Sequence, residues 1–184
     1  MATPDVRVGL ISTSWFAGMF HIPLTQSHEV AHLVSICGRD KKNAEDIAGE
    51  HGIERVHRDY RTLVDSDDLD AVIVATPDDC HHEMTMYALR AGKHVLCEKP
   101  MASSVDECDQ MISVCEEHNT GLAVNHQMRF MEAYTLVKDA IKTGVYGNLT
   151  SMNVVAGNIG IAMNGSHYFE AFKWLTDSEI ESAS

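Results

Sequence analysis

At 184 residues the chain has room for one full domain and part of another. Its 45% hydrophobic content suffices for a core, and 27 acidic against 14 basic residues leave a net charge of −13. That balance excludes nucleic acid and anionic membrane surfaces as partners, because no basic run offers phosphates a landing place.

The N-terminal Met-Ala-Thr-Pro-Asp has neither a charged leader nor an apolar h-region, and no apolar run reaches the length of a membrane span. The reading is a soluble, cytoplasmic protein. Cys37, Cys80, Cys97, Cys108 and Cys115 form no C-x-x-C pair, and an odd count without a secretion signal fits reduced thiols.

In chain order, Val6 to Ile11 reads as a first strand, turned by Ser12-Thr13-Ser14 into a helix that begins near Trp15. Ala31 to Cys37 is a second strand, and Asp40 caps the helix Lys41 to His51. Arg55 to His57 is a short strand, and Ala71-Val-Ile-Val is apolar throughout. Thr76-Pro77-Asp78-Asp79 turns the chain into a helix from Cys80 to Ala91, ended by Gly92. His94 to Pro100 holds another buried strand. Ser104-Val-Asp-Glu107 is a capping box opening a helix to about His118, and Gly121 to Asn125 is a further strand.

Apolar strands alternating with amphipathic helices predict a parallel sheet covered on both faces, a doubly wound α/β Rossmann domain over residues 1–124. Residues 125–184 read as the incomplete start of a second α/β domain. In it, Met131 to Thr143 is an amphipathic helix with Met131, Tyr134, Val137 and Ile141 on one face. Leu149 to Ala156 is a strand candidate, and a last helix runs from about His167 to Thr176. One strand and two helices cannot close a core, so apolar surface, including Met152 and Val154, is expected to be exposed beyond residue 145.

The chemistry concentrates at strand ends. Glu98 and Lys99 stand at the carboxyl end of a central strand, the edge where open α/β sheets bind ligands. A lysine partly desolvated there can move a proton near neutral pH. The turn after the first strand is where a G-x-G-x-x-G/A phosphate fingerprint belongs, but the register supplies Ser12-Thr13-Ser14-Trp15-Phe16-Ala17. Only the last position fits. If either serine needed a positive φ, its Cβ would cost about 1 kcal/mol. Backbone N–H groups at the helix start still face an anion, and the hydroxyls add donors. Arg39 at the end of the second strand, with Lys41 and Lys42 beyond it, points to the 2′-phosphate of NADP, with NAD the alternative.

Cys80-His81-His82-Glu83 does not read as a metal site, since successive helical positions diverge by about 100°. Cys108 and Cys115 read as core residues on one stripe with Val105, Met111 and Ile112. The ten methionines are scattered as gap-fillers.

Taken together, Val-Gly-Leu-Ile, Cys-Gly-Arg-Asp, Ala75-Thr76-Pro77-Asp78 with His81, and Glu98-Lys99-Pro100 resemble the Gfo/Idh/MocA oxidoreductases, the family of glucose–fructose oxidoreductase and inositol dehydrogenase. Asn125 to Phe130 with Arg129, and Gly165-Ser-His167-Tyr-Phe-Glu170 followed by Trp174-Leu175, extend the resemblance over nearly the whole chain. It implies a Rossmann domain followed by an α/β domain whose open sheet forms the substrate pocket and a homo-oligomer interface. It further implies hydride transfer between nicotinamide and a hydroxyl- or carbonyl-bearing carbon of a sugar or polyol. Lys99 and His167 would be catalytic. Ser12, Thr13, Ser14, Trp15, Phe16, Arg39, Thr76, Pro77, His81, Glu98, Lys99 and Arg129 would contact the cofactor, with Trp15 beside the pyrophosphate turn. Three departures stand out: serines at the fingerprint glycines, Met163 where many members carry an aspartate before the histidine, and an end at Ser184 that reads as truncation. They leave two alternatives, a catalytically silent sensor or regulator of the same family, or an inactive fragment.

Overall fold

The computed structural model describes residues 4–155, 157, 160 and 164–182. The chain divides into two compact units, Met1–Val124 and Asn125–Ser184, each treated by itself.

The first unit is a six-stranded sheet in the order β3-β2-β1-β4-β5-β6, with β1 Val6–Ile11, β2 Ala31–Cys37, β3 Arg55–His57, β4 Ala71–Val74, β5 His94–Glu98 and β6 Leu122–Asn125. The pairs β1–β2, β1–β4, β2–β3 and β4–β5 are parallel. Between them run a π-helical turn Ala17–His21 continuing into α1 Ile22–Gln26, α2 Lys41–His51, α3 Tyr60–Val64, α4 His81–Arg90 and α5 Val105–Glu117. Period-two alternation sends Ile73 to one face of the sheet and Val72 and Val74 to the other, and helices bury both faces. Ile73 joins Leu10, Ile22 and Ile36; Val72 and Val74 join Leu63, Leu89 and Met111.

The strand and helix starts follow local chemistry. Asp40 accepts from Asn43 N–H at 3.2 Å and Ser104 accepts from Glu107 N–H at 3.2 Å, each satisfying an orphan donor of the first turn. Glu107 reaches back to the amide of Ser103 at 2.9 Å, a close variant of the predicted capping box. Gly52, with φ +67°, ends α2.

α3 was not anticipated from the sequence. Asp59 caps it, accepting from Arg61 N–H at 3.0 Å, and Tyr60, Leu63 and Val64 bury its inner face. Its close approach to β1 depends on Gly9, where an added Cβ would meet Leu63 Cδ2 at 2.6 Å. The α5 stripe is also displaced from expectation. Met111 and Val114 are its buried residues, Cys108 and Cys115 are half-buried, and Val105 and Ile112 face solvent. The helix rolls so that the turn bearing Met111 seats against α4. Met111 is fully buried, so Met111→Ala should cost about 2–5 kcal/mol, read as a lower denaturant midpoint at unchanged slope.

The second unit holds α6 Glu132–Thr143 and α7 Ser166–Thr176. Met131 and Val137 of the predicted apolar face remain exposed, and the buried residue of α6 is Lys138. Its stem is covered, and its ammonium donates to the carbonyl of Trp174 and pairs with Asp177 at 2.5 Å. A cation is well placed at a helix C-terminus, which is why a lysine is tolerated there. The same ammonium holds the Asp177 carboxyl below the usual range. The predicted strand Leu149–Ala156 is absent over its described residues 149–155, since no second strand pairs with this segment there. Val154 is exposed, Val155 wholly so, while Met152 is half-buried. Among the described residues no helix is long and apolar enough to cross a membrane.

Candidate active site

The chain lays down β1, β2 and β3 outward in one direction and then returns to place β4 on the other side of β1. Ile11 and Val74 are register partners at that reversal, where the loops diverge and a crevice must open. A cleft of about 910 Å³ lies there, a volume within the range of about 300–1,000 Å³ typical of small-molecule sites. It is lined by Ser12, Thr13, Ser14 and Phe16 after β1, and by Cys37, Gly38 and Arg39 at the end of β2. Thr76 and Pro77 follow β4, and Glu98 and Lys99 end β5.

The serine turn carries no backbone strain. Among the described residues the non-glycines with positive φ are Asn119 and Asp177, so the conditional penalty at Ser12 and Ser14 does not arise. Each hydroxyl instead closes the turn. Ser12 Oγ accepts from Ser14 N–H at 3.1 Å, and Ser14 Oγ accepts from Ala17 N–H at 3.2 Å. The Ser12 hydroxyl is 3.0 Å from Ser14 Oγ and donates to it. Two amides that a glycine turn would present to an anion are thus occupied, and the exposed Ser14 hydroxyl keeps its own proton to offer.

The β2 edge meets this turn closely. A Cβ at Gly38 would lie 2.4 Å from Thr13 Cγ2 and 2.9 Å from Thr13 Oγ1, so only glycine lets the two loops touch. Arg39 and, after β3, Arg58 stand on the same rim as Asp59, Tyr60, Asp79 and Cys80. Cys37 forms part of the floor. Burial, and secondarily Asp59, pushes its thiol up to about 11, and burial pushes Cys97 up to about 12. Both favour the protonated form in the fold. That stabilisation is present below the ordinary thiol pKa and is lost as pH rises through these values. Iodoacetamide at about pH 8 should leave Cys37 and Cys97 unmodified in the native protein, because the thiolate is the reactive form. Peptide mapping checks this, and rapid labelling of Cys37 would contradict it.

At the β5 end, Glu98 is 7% exposed and its Oε1 accepts from His21 Nε2 at 2.9 Å. Its Oε2 accepts from the Lys99 amide at 3.3 Å. His21 closes the π-helical turn and was not anticipated from the sequence; 77 residues separate it from Glu98. π-turns of this kind recur at functional sites.

Two residues expected at the cofactor lie off the cleft lining. His81 is 1% exposed and does not line the cleft. Its ring lies beneath, with Nδ1 2.7 Å from the carbonyl of Pro100 and Nε2 2.9 Å from that of Thr76. Trp15 is 73% exposed and also lies outside the lining, its edge packed at 6.2 Å on Phe20, while Phe16 takes the inward position. The neighbours of His81 go elsewhere too: Cys80 donates to Asp79, His82 meets Gln110, and Glu83 accepts from Tyr60 and Arg61. Among the described residues no three His, Cys, Asp or Glu side chains gather as a metal site would require.

In the second unit, Arg129 forms an ion pair with Glu170 of α7, and His126 meets His167 edge-on at 5.7 Å between ring centroids. His167 is buried at the start of α7. Met163 lies outside the described residues.

The cleft residues suit an extended dinucleotide. Gly38 lets the β2 edge close against Thr13, the Ser14 hydroxyl is a donor on the β1 turn, and guanidinium groups stand on the β2 side.

Comparison with known proteins agrees. A family model described as an oxidoreductase family with an NAD-binding Rossmann fold, Gfo/Idh/MocA, matches residues 6–126. The chain is 35% identical over 141 residues to 1,5-anhydro-D-fructose reductase of Ensifer adhaerens, covering 77% of this chain and 42% of that protein. It is 30% identical over 190 residues to inositol 2-dehydrogenase 2 of Saccharopolyspora erythraea, covering 97% and 56% respectively. A 3-ketoreductase from Actinomadura kijaniata, solved in complex with NADP, superposes with a TM-score of 0.73 at 31% identity, over 78% of this chain and 45% of that one. The chain therefore spans about half the length of the relatives it matches. With the reversal-point cleft and a match over most of its length, the chain belongs to the Gfo/Idh/MocA family of NAD-binding Rossmann-fold oxidoreductases.

Proposed function

We propose that this chain carries the cofactor-binding and proton-transfer parts of an NADP-dependent oxidoreductase acting on a hydroxyl- or carbonyl-bearing carbon of a sugar or polyol. The observation that carries the reading is the meeting of Lys99, the β1 turn and Arg39 in one cleft at the sheet's reversal point. The names of the relatives, an anhydrofructose reductase and an inositol dehydrogenase, support a sugar or polyol as substrate.

The nicotinamide, when bound, supplies or accepts the hydride. The chain's own residues do the rest. The Ser14 hydroxyl and the turn amides other than those of Ser14 and Ala17 hold the pyrophosphate, and Arg39 pairs with the 2′-phosphate. Phe16, Thr76, Pro77 and Glu98 wall the cleft beside it. Lys99 gives a proton to the substrate oxygen on reduction and takes one on oxidation. The family resemblance gives His167 a supporting catalytic role, and Arg129 pairs with Glu170 of α7. On this reading the protein works in the cytoplasm and self-associates through the sheet of its second domain.

The test is turnover of NADP with a panel of inositols, anhydrofructose and aldoses, followed by the absorbance of reduced nicotinamide. Arg39→Ala should raise KM for NADP about tenfold and leave KM for NAD nearly unchanged, since only the former loses a charge-assisted bond. Equal effects on both cofactors would refute the 2′-phosphate role.

A further inference from the structure

We propose that His21 and His81 are positioning residues that hold the backbone of Lys99 from both sides. The inference rests on the reading of Lys99 as the proton-handling group. Lys99 lies between two residues that are each gripped by a buried histidine. On one side, His21, 5% exposed, donates from Nε2 to Glu98 Oε1 at 2.9 Å. The other oxygen of that carboxylate accepts from the amide of Lys99 itself at 3.3 Å. The carboxylate is therefore a link between the imidazole and the Lys99 peptide. On the other side, His81 Nδ1 lies 2.7 Å from the Pro100 carbonyl, immediately after Lys99.

The two histidines come from different elements beneath the cleft. His21 closes the π-turn that follows β1, and His81 opens α4 after β4. His81 also reaches the carbonyl of Thr76 from Nε2, so it joins the lip of β4 to the lip of β5. Carbonyls only accept, so the ring nitrogen that bonds to one must carry hydrogen, and the shorter contact assigns the hydrogen of the His81 ring to Nδ1, facing Pro100. Burial makes these bonds hard to replace with water, and a buried carboxylate without a donor is costly. A lysine that must meet a substrate oxygen within a few tenths of an ångström gains from such fixation.

Amide substitutions separate position from bulk. Glutamine places its NH₂ near a histidine Nε2 and asparagine near Nδ1. His21→Gln keeps the donor to Glu98, and His21→Asn loses it. His81→Asn keeps the donor to Pro100, and His81→Gln loses it. The measurement is the trace acetylation rate of the Lys99 amine in this chain, read by mass-spectrometric peptide mapping against the exposed Lys42 as internal reference. His21→Asn and His81→Gln should change the Lys99 rate by about threefold or more, and His21→Gln and His81→Asn should stay near wild type. Equal effects within a pair, unfolding of both members included, overturn the proposal, because each histidine would then be core filling alone. Wild-type rates in all four variants overturn it as well. The readout needs no cofactor or turnover. A lysine that responds as described in a chain binding no dinucleotide would leave the positioning intact and sink the cofactor reading.

Discussion

Lys99→Met should lower kcat of the complete enzyme by about 10²–10⁴ while changing the dinucleotide dissociation constant by less than about threefold. Methionine keeps the length and apolar stem of lysine and loses only the ammonium. The amide of Lys99 still donates to Glu98, so the backbone at the end of β5 has no reason to move. What disappears is the group in the cleft that trades a proton with the substrate oxygen. Uniform loss of binding would appear in KM, whereas loss of a proton transfer appears in kcat. A variant with wild-type kcat would remove Lys99 from the reaction.

Gly38→Ala should weaken dinucleotide binding about tenfold or more with little change in global stability. The new Cβ lies 2.4 Å from Thr13 Cγ2, a separation that no packed protein accepts, so the Thr13 side chain and the turn bearing Ser12 and Ser14 must shift. Thr13 and the exposed Ser14 can shift without opening the core, which confines the cost to the cleft. The Thr13→Ala/Gly38→Ala double variant removes both close atoms and leaves Thr13 Cβ at 3.2 Å, so it should recover most of the lost affinity. Titration calorimetry of the three proteins checks this; equal losses in single and double variants would contradict the steric account.

Much of the first unit was legible because its strands are short apolar runs and its helices carry their own caps. Asp40 and Ser104 act at the positions where local chemistry puts them. α3 is hard to read although Asp59, Tyr60, Leu63 and Val64 carry its cap and inner face; five residues are too few to display a full period. Cleft-lining residues near strand ends were legible because topology alone brings Ser12, Arg39, Thr76 and Lys99 to one edge. The parts of the cleft built by tertiary contact were not. Nothing in the local pattern announces a π-turn, so the outward swing of Trp15 and the inward placement of His21 on Glu98 were hidden. His81 sits beneath the cleft for a similar reason: carbonyls of two separate loops hold it. The strand expected at 149–156 had the composition of a strand, but pairing requires a neighbour that composition cannot supply.

The most direct test of the central claim is calorimetric titration of this chain with NADPH and then NADH, after circular dichroism has established that it is folded. Saturable binding of NADPH, about tenfold tighter than NADH, is predicted from the serine turn and Arg39. No saturable binding of either dinucleotide at millimolar concentration would contradict the account and leave the cleft without the cofactor that its chemistry requires.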